Sequence, residues 1–128
     1  MIDLFIVDTE RGMKFEGVFL FEDYRLLGDV FYVSSNTWVN MTKKKHAWFF
    51  IIYDNEIIDE ELVAALRVFM QAKFDIVKVY KKEIDDVYSI SPRMFRKEIV
   101  LPEFGLLPNS WKELNMETCL NGFLHATC

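Results

Sequence analysis

The sequence predicts an α/β domain with a mostly parallel sheet and flanking helices. Short runs of apolar and β-branched residues recur along the 128 residues, and each ends in turn-prone residues. Between them, the stretch that starts at Asp59 repeats its apolar residues at helical spacing. Strands that alternate with helices favour a parallel sheet. The length suits one domain, which we expect to span residues 1–128.

Composition excludes several classes of protein. The apolar fraction of 52% and the aromatic fraction of 16% suit a packed core and not a disordered chain. The net charge of −5 argues against non-specific nucleic-acid binding, which needs an excess of Lys and Arg. No apolar run approaches the roughly 18 residues of a membrane span, and the first residues are acidic where a signal peptide is basic. The two cysteines, Cys119 and Cys128, fit free thiols in a reducing compartment, so the predicted location is cytoplasmic.

Three strands are predicted in the amino-terminal half. They cover the apolar runs Ile2–Val7, Val30–Val33 and Trp48–Tyr53. A short helix over 18–26 is expected between the first two strands. The connector at 38–45 is expected to hold one or two helical turns.

A helix is expected directly after the third strand. Leu62, Ala65, Leu66 and Phe69 form one apolar stripe at helical spacing. Asp59 precedes this stripe and suits an N-cap, and further acids in the first turn suit the helix dipole.

The remaining elements are shorter. A strand is predicted over 74–80, and a further strand over 87–90 is expected to pair with it. Residues 91–98 are predicted to form a helical turn and 102–110 a loop. A helix is predicted over 111–123.

Acids follow the third strand, and two interpretations of them stay open. Asp54 and Glu56 could simply form a solvated turn ahead of a helix. Alternatively, their carboxylates could bind one Mn²⁺ or Mg²⁺ ion, which commonly takes one or two carboxylates plus the phosphates of a substrate. Ligands of parallel sheets lie beyond the carboxyl ends of the strands, where Asp8 and Ser34 are also expected.

The stretch from Ala47 to Lys82 resembles the central segment of the family 2 glycosyltransferases of the GT-A fold. That segment has an apolar strand, a D-x-D triplet, a helix led by acids and a strand beginning "ADIV". This chain shows "YDNE" at 53–56, "DEE" at 59–61 and "FDIV" at 74–77. Further on, "SPRMFRKEIVL" and "NMETCLNGFLHA" are similar to the family's later elements, so the likeness spans roughly residues 46–125.

The resemblance implies a single GT-A-like domain that moves a sugar from a nucleoside diphosphate donor to a hydroxyl. The acceptor, whether glycan, protein or nucleic acid, is not identified. Asp54 and Glu56 would hold Mn²⁺ or Mg²⁺, and His125 would be a further metal or phosphate ligand. Glu117 would be the general base of an inverting reaction. The implied contacts to the nucleotide and its phosphates are Asp8, Thr9, Arg11, Ser34, Ser35 and Lys43.

Departures from the family pattern leave a second function open. Thr118 stands where the family has a second acid, and Ser34 and Ser35 stand where it usually carries acids. The chain is also shorter than a typical member, which leaves little for an acceptor site. It is therefore either a compact enzyme, expected to be a homodimer because of its apolar composition, or a non-catalytic module that binds nucleotide or protein. For His125, the alternative to ligand binding is a structural role. For Lys43, the alternative to a phosphate contact is membership of a solvated run of lysines.

Overall fold

A computed structural model describes residues 2–7, 28–70, 73–102 and 109–126. The strands are β1 (Ile2–Val7), β2 (Gly28–Val33), β3 (Trp48–Tyr53), β4 (Glu56–Ile58), β5 (Ile76–Lys82), β6 (Tyr88–Arg96), β7 (Met116–Thr118) and β8 (Leu124–Ala126). The helices are α1 (Asn36–Met41), α2 (Glu60–Phe69) and a 3₁₀ helix at Asn109–Glu113. The helix expected over 18–26 lies outside the described residues.

Within the described ranges the strands join in one mixed sheet, in the order β2-β1-β3-β6-β5-β8-β4, with β7 also paired to β5. The strands β1, β2 and β3 are parallel, as predicted. Beyond them the sheet is mixed and not mostly parallel. Strand β6 runs antiparallel to both β3 and β5, and β4 runs antiparallel to β8, whereas β7 and β8 run parallel to β5. Only residues 83–87 separate β5 from β6, which is too short for a parallel crossover. The predicted pairing of these two strands is confirmed.

The sheet curls at β4. This strand follows β3 after only Asp54 and Asn55, yet it pairs with β8 at the far end of the strand order. The chain therefore passes from the end of β3 towards the ends of β5 and β8. This curl carries Glu56, the first residue of β4, towards the middle strands.

Helix α2 covers one face of the sheet. Its Leu62 and Leu66 are fully buried in a core shared with Phe50 of β3 and Val77 of β5. The predicted N-cap is confirmed, because Asp59 Oδ1 accepts a hydrogen bond from the backbone of Leu62 at 2.9 Å.

Shorter segments cover the other face. Val39 of α1, Leu101 and Trp111 pack there with Phe49 and Phe95. The ring of Phe95 lies 5.3 Å from that of Phe49 and 5.6 Å from that of Trp111. Because both faces are covered and β1 lies between β2 and β3, all six residues of β1 are buried.

Two predicted helical segments are wrong. Residues 91–96 continue β6, where Met94 and Phe95 point to opposite faces of the sheet and fill the two cores. Residues 111–123 hold the end of the 3₁₀ helix and then β7, which pairs with β5. Short apolar segments are ambiguous between helix and strand, and here the unpaired edge of β5 favours the strand.

The thiol of Cys119 is free and buried, as expected, whereas Cys128 lies outside the described residues. In the part of the chain that the structure describes, no helix combines the length and apolar character needed to cross a membrane.

Candidate functional site

The strand order puts a topological switch point between the carboxyl ends of β1 and β3, the kind of place where α/β sheets form a ligand crevice. The chain leaves β1 for β2 on one side, and it leaves β3 towards the strands on the other side. Neighbouring parallel strands whose connections diverge in this way commonly flank a ligand site. Asp54 lies at this point, and its backbone N–H donates to the carbonyl oxygen of Val7 at 3.1 Å.

Ser34 and Ser35 lie at the same edge of the sheet. They follow Val33, the last residue of β2, which is in register with Val7 of β1. The carbonyl oxygen of Ser35 accepts the N–H of Trp38 at 3.1 Å and begins α1. The structure therefore brings these two serines and Asp54 to one edge. The other predicted contacts at this edge, Asp8, Thr9 and Arg11, lie outside the described residues.

Glu56, two residues after Asp54 and the first residue of β4, is buried in an ionic cluster. Its Oε1 accepts hydrogen bonds from the backbone of Tyr53 at 2.8 Å and from Arg93 Nη1 at 2.5 Å. Its Oε2 accepts from Arg93 Nη2 at 2.8 Å and lies 2.8 Å from Lys81 Nζ. Such a two-pronged pairing is among the strongest hydrogen-bonded contacts that a carboxylate makes. Lys81 also lies 3.6 Å from a carboxylate oxygen of Glu83.

Both oxygens of Glu56 are therefore engaged by cations of the chain itself. Burial raises the pKa of Glu56, but the hydrogen bonds and charge of Arg93 and the hydrogen bond from Lys81 oppose it, and the net pKa lies below its ordinary value. The carboxylate is charged at neutral pH. The role of Glu56 as a metal ligand stays a prediction. Metal binding would require some of its hydrogen bonds and ion pairs with Tyr53, Arg93 and Lys81 to break.

A β-bulge aims Arg93 at this cluster. Val77 of β5 is opposite Met94 of β6, but Lys78 is opposite Pro92, so Arg93 is the extra residue. Bulges redirect side chains in this way. The Arg93 guanidinium lies 4.8 Å from the ring centroid of Tyr53, the residue before Asp54. Arg93 therefore contacts the residues on both sides of the turn that carries Asp54, namely Tyr53 before it and Glu56 after it.

Sequence reasoning missed Arg93 and Lys81. The available signal was Pro92 in an apolar stretch that we assigned to a helical turn. A proline in a strand marks an edge or a bulge, and a bulge redirects its neighbours.

The structure does not bring Glu117 to this edge. The registers place Glu117 opposite Val77, which is opposite Met94, which in turn is opposite Phe50 in the first half of β3. Measured along the sheet, three strand spacings of about 4.8 Å put Glu117 roughly 14 Å from β3. Its Oε1 accepts the backbone N–H of Thr118 at 2.9 Å.

His125 has a structural partner. Its Nε2 lies 3.0 Å from Asp59 Oδ2, which also accepts the backbone N–H of Phe123 at 2.9 Å. The contact ties β8 to the start of α2, and the role of His125 as a metal or phosphate ligand stays a prediction.

Lys43 lies at the opposite edge of the sheet from Asp54. It is exposed in the loop that precedes β3, whereas Asp54 follows the end of β3. Six strand residues at about 3.3 Å each separate the two edges by roughly 20 Å. The structure therefore does not bring Lys43 together with Asp54.

Comparison with known proteins supports the fold. No family model matches the sequence, and no curated protein matches it. Among solved structures, the chain is similar to the 4-diphosphocytidyl-2C-methyl-D-erythritol synthase of Anaerococcus prevotii, with a TM-score of 0.52 and 11% identity. The match covers 98% of this chain and 87% of that chain. The chain therefore shares the overall fold of that synthase, and at this identity the likeness concerns the fold alone.

Proposed function

We propose that the protein is a nucleotide-dependent transferase that binds a nucleoside phosphate in the crevice between β1 and β3. The observation that carries this proposal is the position of Asp54 at the end of β3, where the connections of β1 and β3 run to opposite sides. Its backbone N–H is hydrogen-bonded across to Val7. The fold shared with a synthase of a diphosphocytidyl compound supports a nucleotide as the ligand.

The first candidate reaction is the transfer of a sugar from a nucleoside diphosphate donor to a hydroxyl of a glycan, protein or nucleic acid. It is supported by the family 2-like motifs around "YDNE" at 53–56. The available donor set fits Mn²⁺ or Mg²⁺, because such ions often take one carboxylate, here that of Asp54, and complete their coordination with phosphates and water. A bound ion would offset charge on the leaving diphosphate.

The chain's own contribution is to position Asp54. Glu56 is bound by Arg93 and Lys81, and its Oε1 accepts the N–H of Tyr53 directly before Asp54. These buried contacts hold the turn between β3 and β4 in one conformation. A rigid surround of this kind keeps a ligand-binding group in productive geometry.

The second candidate reaction is nucleotidyl transfer from a nucleoside triphosphate to a phosphate or hydroxyl, with release of pyrophosphate. It is favoured by the structural match to a diphosphocytidyl synthase, which extends over 98% of this chain. Both candidates use the same crevice, and they differ in the bond that breaks.

The products distinguish these candidates. We would incubate the protein with Mn²⁺ and either nucleoside diphosphate sugars or nucleoside triphosphates, each with a panel of acceptors. Release of nucleoside diphosphate indicates glycosyl transfer, and release of pyrophosphate indicates nucleotidyl transfer. Binding without either product supports the alternative, a non-catalytic nucleotide-binding module.

Thermal unfolding tests binding itself. A ligand at 100 times its Kd stabilises the native state by about 2.7 kcal/mol. Asp54→Asn should lose this stabilisation, whereas Asp85→Asn, a matched change in the exposed turn between β5 and β6, should keep it. If no nucleotide or nucleotide sugar raises the melting temperature of the wild type, the proposed function is wrong.

We also propose that the protein forms a homodimer. The β5–β6 turn and the start of β6 expose apolar side chains, namely Ile84, Val87, Tyr88 and Ile90. Clustered exposed apolar side chains commonly mark an interface. Sedimentation of the wild type and of Val87→Asp tests this proposal, and a wild type that is monomeric at micromolar concentration would contradict it.

A further inference from the structure

Two acids lie side by side at the amino edge of the sheet, opposite the proposed nucleotide crevice. Asp3 of β1 and Asp29 of β2 are register partners in neighbouring parallel strands. Like charges in adjacent strands destabilise a sheet unless a cation lies between them. His46, in the loop before β3, reaches both: its Nε2 lies 3.3 Å from Asp29 Oδ2 and 3.8 Å from Asp3 Oδ1.

Asp3 is fully buried, and only one of its oxygens is hydrogen-bonded. Oδ2 accepts the backbone N–H groups of Lys45 at 2.8 Å and His46 at 3.1 Å. Oδ1 is buried and has no hydrogen-bond partner. A buried carboxylate oxygen without a partner is costly. Here it faces the imidazole nitrogen of His46, so the unsatisfied oxygen points into the cluster.

We propose that Asp3, Asp29 and His46 form a binding site for a divalent transition-metal ion of the Zn²⁺ class. One ligand atom from each residue lies within 4.8 Å of the others. Zinc bonds to nitrogen and oxygen are about 2.1 Å, so tetrahedral ligand atoms stand about 3.4 Å apart. The separations of 3.3 and 3.8 Å from His46 Nε2 lie close to that spacing.

The charge and access of the cluster also suit such an ion. Two carboxylates balance a divalent charge, and an imidazole ligand favours a transition metal over Mg²⁺ or Ca²⁺. The side chains of Asp29 and His46 are 48% and 25% exposed, so an ion can enter from solvent and water can complete its coordination.

Such an ion would clamp the amino ends of β1 and β2 to the loop before β3. Asp3 and His46 are 43 residues apart in sequence, and an ion that joins them only in the folded chain adds its binding free energy to folding. The competing account is a protonated His46 that pairs with both acids, with Lys45 Nζ 3.9 Å from Asp29. This account needs no ion, and the test separates the two. The site is independent of the proposed function, because its test measures metal binding without any nucleotide.

The test uses the full chain, freed of metal with a chelator. It is titrated with Zn²⁺ by calorimetry and with Co²⁺ by visible absorption. We expect one equivalent to bind and to raise the melting temperature. His46→Gln should weaken binding by more than about 100-fold, since even partners outside the ligand set cost about 10–100-fold. The matched control is His125→Gln, because the sequence has two histidines and both contact an aspartate.

Asp29→Asn provides a second variant, half-exposed and expected to fold, and Asp85→Asn in the exposed turn between β5 and β6 is its control. Binding that is lost in His46→Gln and Asp29→Asn but kept in both controls supports the proposal. The absence of binding in the wild type would overturn it, and so would a wild-type affinity in His46→Gln. Loss of binding in Asp54→Asn, with His46→Gln unaffected, would assign the ion to the nucleotide crevice and equally overturn it.

Discussion

Arg93 binds both carboxylate oxygens of Glu56, and it does so from a bulge in β6. The two residues are 37 positions apart in sequence, and both are buried. Their contact fixes the turn after β3, because Glu56 also accepts the N–H of Tyr53 and Arg93 lies over the Tyr53 ring. The stability of the domain and the geometry at Asp54 therefore depend on the same ion pair.

Removal of Arg93 should strongly destabilise the protein. Arg93→Met leaves the charge of Glu56 buried with one cation fewer, and breaking a buried pair in this way costs about 3–5 kcal/mol. The double variant Arg93→Met with Glu56→Gln should recover much of that loss. Urea unfolding measures both. Lys82→Met is the control, since Lys82 pairs with Asp86 on the surface and should cost at most about 1 kcal/mol. Equal losses for Arg93→Met and Lys82→Met would show that the buried pair contributes no more than a surface pair.

Acid should weaken the fold through Glu56. Burial raises its pKa, but Arg93 and Lys81 lower it more, so the folded pKa lies below the ordinary value of 4.5. A carboxyl of this kind stabilises the fold above its unfolded pKa, and this contribution is lost as the pH falls through the folded value. The free energy of unfolding should therefore drop more steeply below pH 4.5 in the wild type than in Glu56→Gln. Parallel pH profiles for the two proteins would show that Glu56 has no such linkage.

Cys119 should resist alkylation in the native state. Burial is the main cause that raises the pKa of this thiol, and the charge of Asp59 raises it further, whereas a hydrogen bond with the backbone of Asn121 lowers it. The reactive thiolate is therefore scarce at pH 8. In a Cys128→Ser background, iodoacetamide labelling followed by mass spectrometry should be slow until urea unfolds the chain. Labelling as fast as that of a free peptide thiol would contradict this expectation.

Gly122→Ala should destabilise the connection between β7 and β8. Gly122 has a φ of +84°, and a Cβ there would lie 2.2 Å from the backbone nitrogen of Leu62. The strained conformation alone costs about 1–3 kcal/mol in a residue with a side chain. Asn121→Ala is the neighbouring control, because the contact of Asn121 with Cys119 uses only its carbonyl oxygen. A Gly122→Ala variant with wild-type stability would mean that the backbone at this position adapts.

Substitutions of Asp54 and Glu117 should have different effects on donor binding and on turnover of the proposed transferase. Asp54→Asn should abolish metal-dependent donor binding while leaving the fold intact. Glu117→Gln should leave both binding and turnover unaltered, because Glu117 lies three strands from β3. A fall in turnover of about 10²–10⁴-fold in Glu117→Gln, with donor affinity kept, would instead identify it as the general base.

The sequence predicts those elements whose local pattern of apolar and polar residues reflects their burial. The run Trp48–Tyr53 is apolar throughout, and Ile2–Val7 is apolar except for Asp3, because both faces of the sheet are covered. Such a pattern can be recognised from the sequence alone. The stripe of α2 and its Asp59 cap are equally local, since they depend on residues within one or two turns. The position of Asp54 at the carboxyl edge follows from these elements and from the general rule for parallel sheets.

Tertiary contacts decide the remainder. Residues 91–96 and 116–118 became strands because β5 offered hydrogen-bonding edges on both sides, which no local pattern reveals. The two cations at the oxygens of Glu56 come from the bulge at Arg93 and from the end of β5, and no local pattern links these segments to Glu56. Asp3 likewise appeared only as an interruption in an apolar run, and its neighbours Asp29 and His46 come from segments 26 and 43 residues away. Local sequence determines which residues are apolar and where a helix begins, whereas the partners of a buried charge come from distant segments and are set by sheet register.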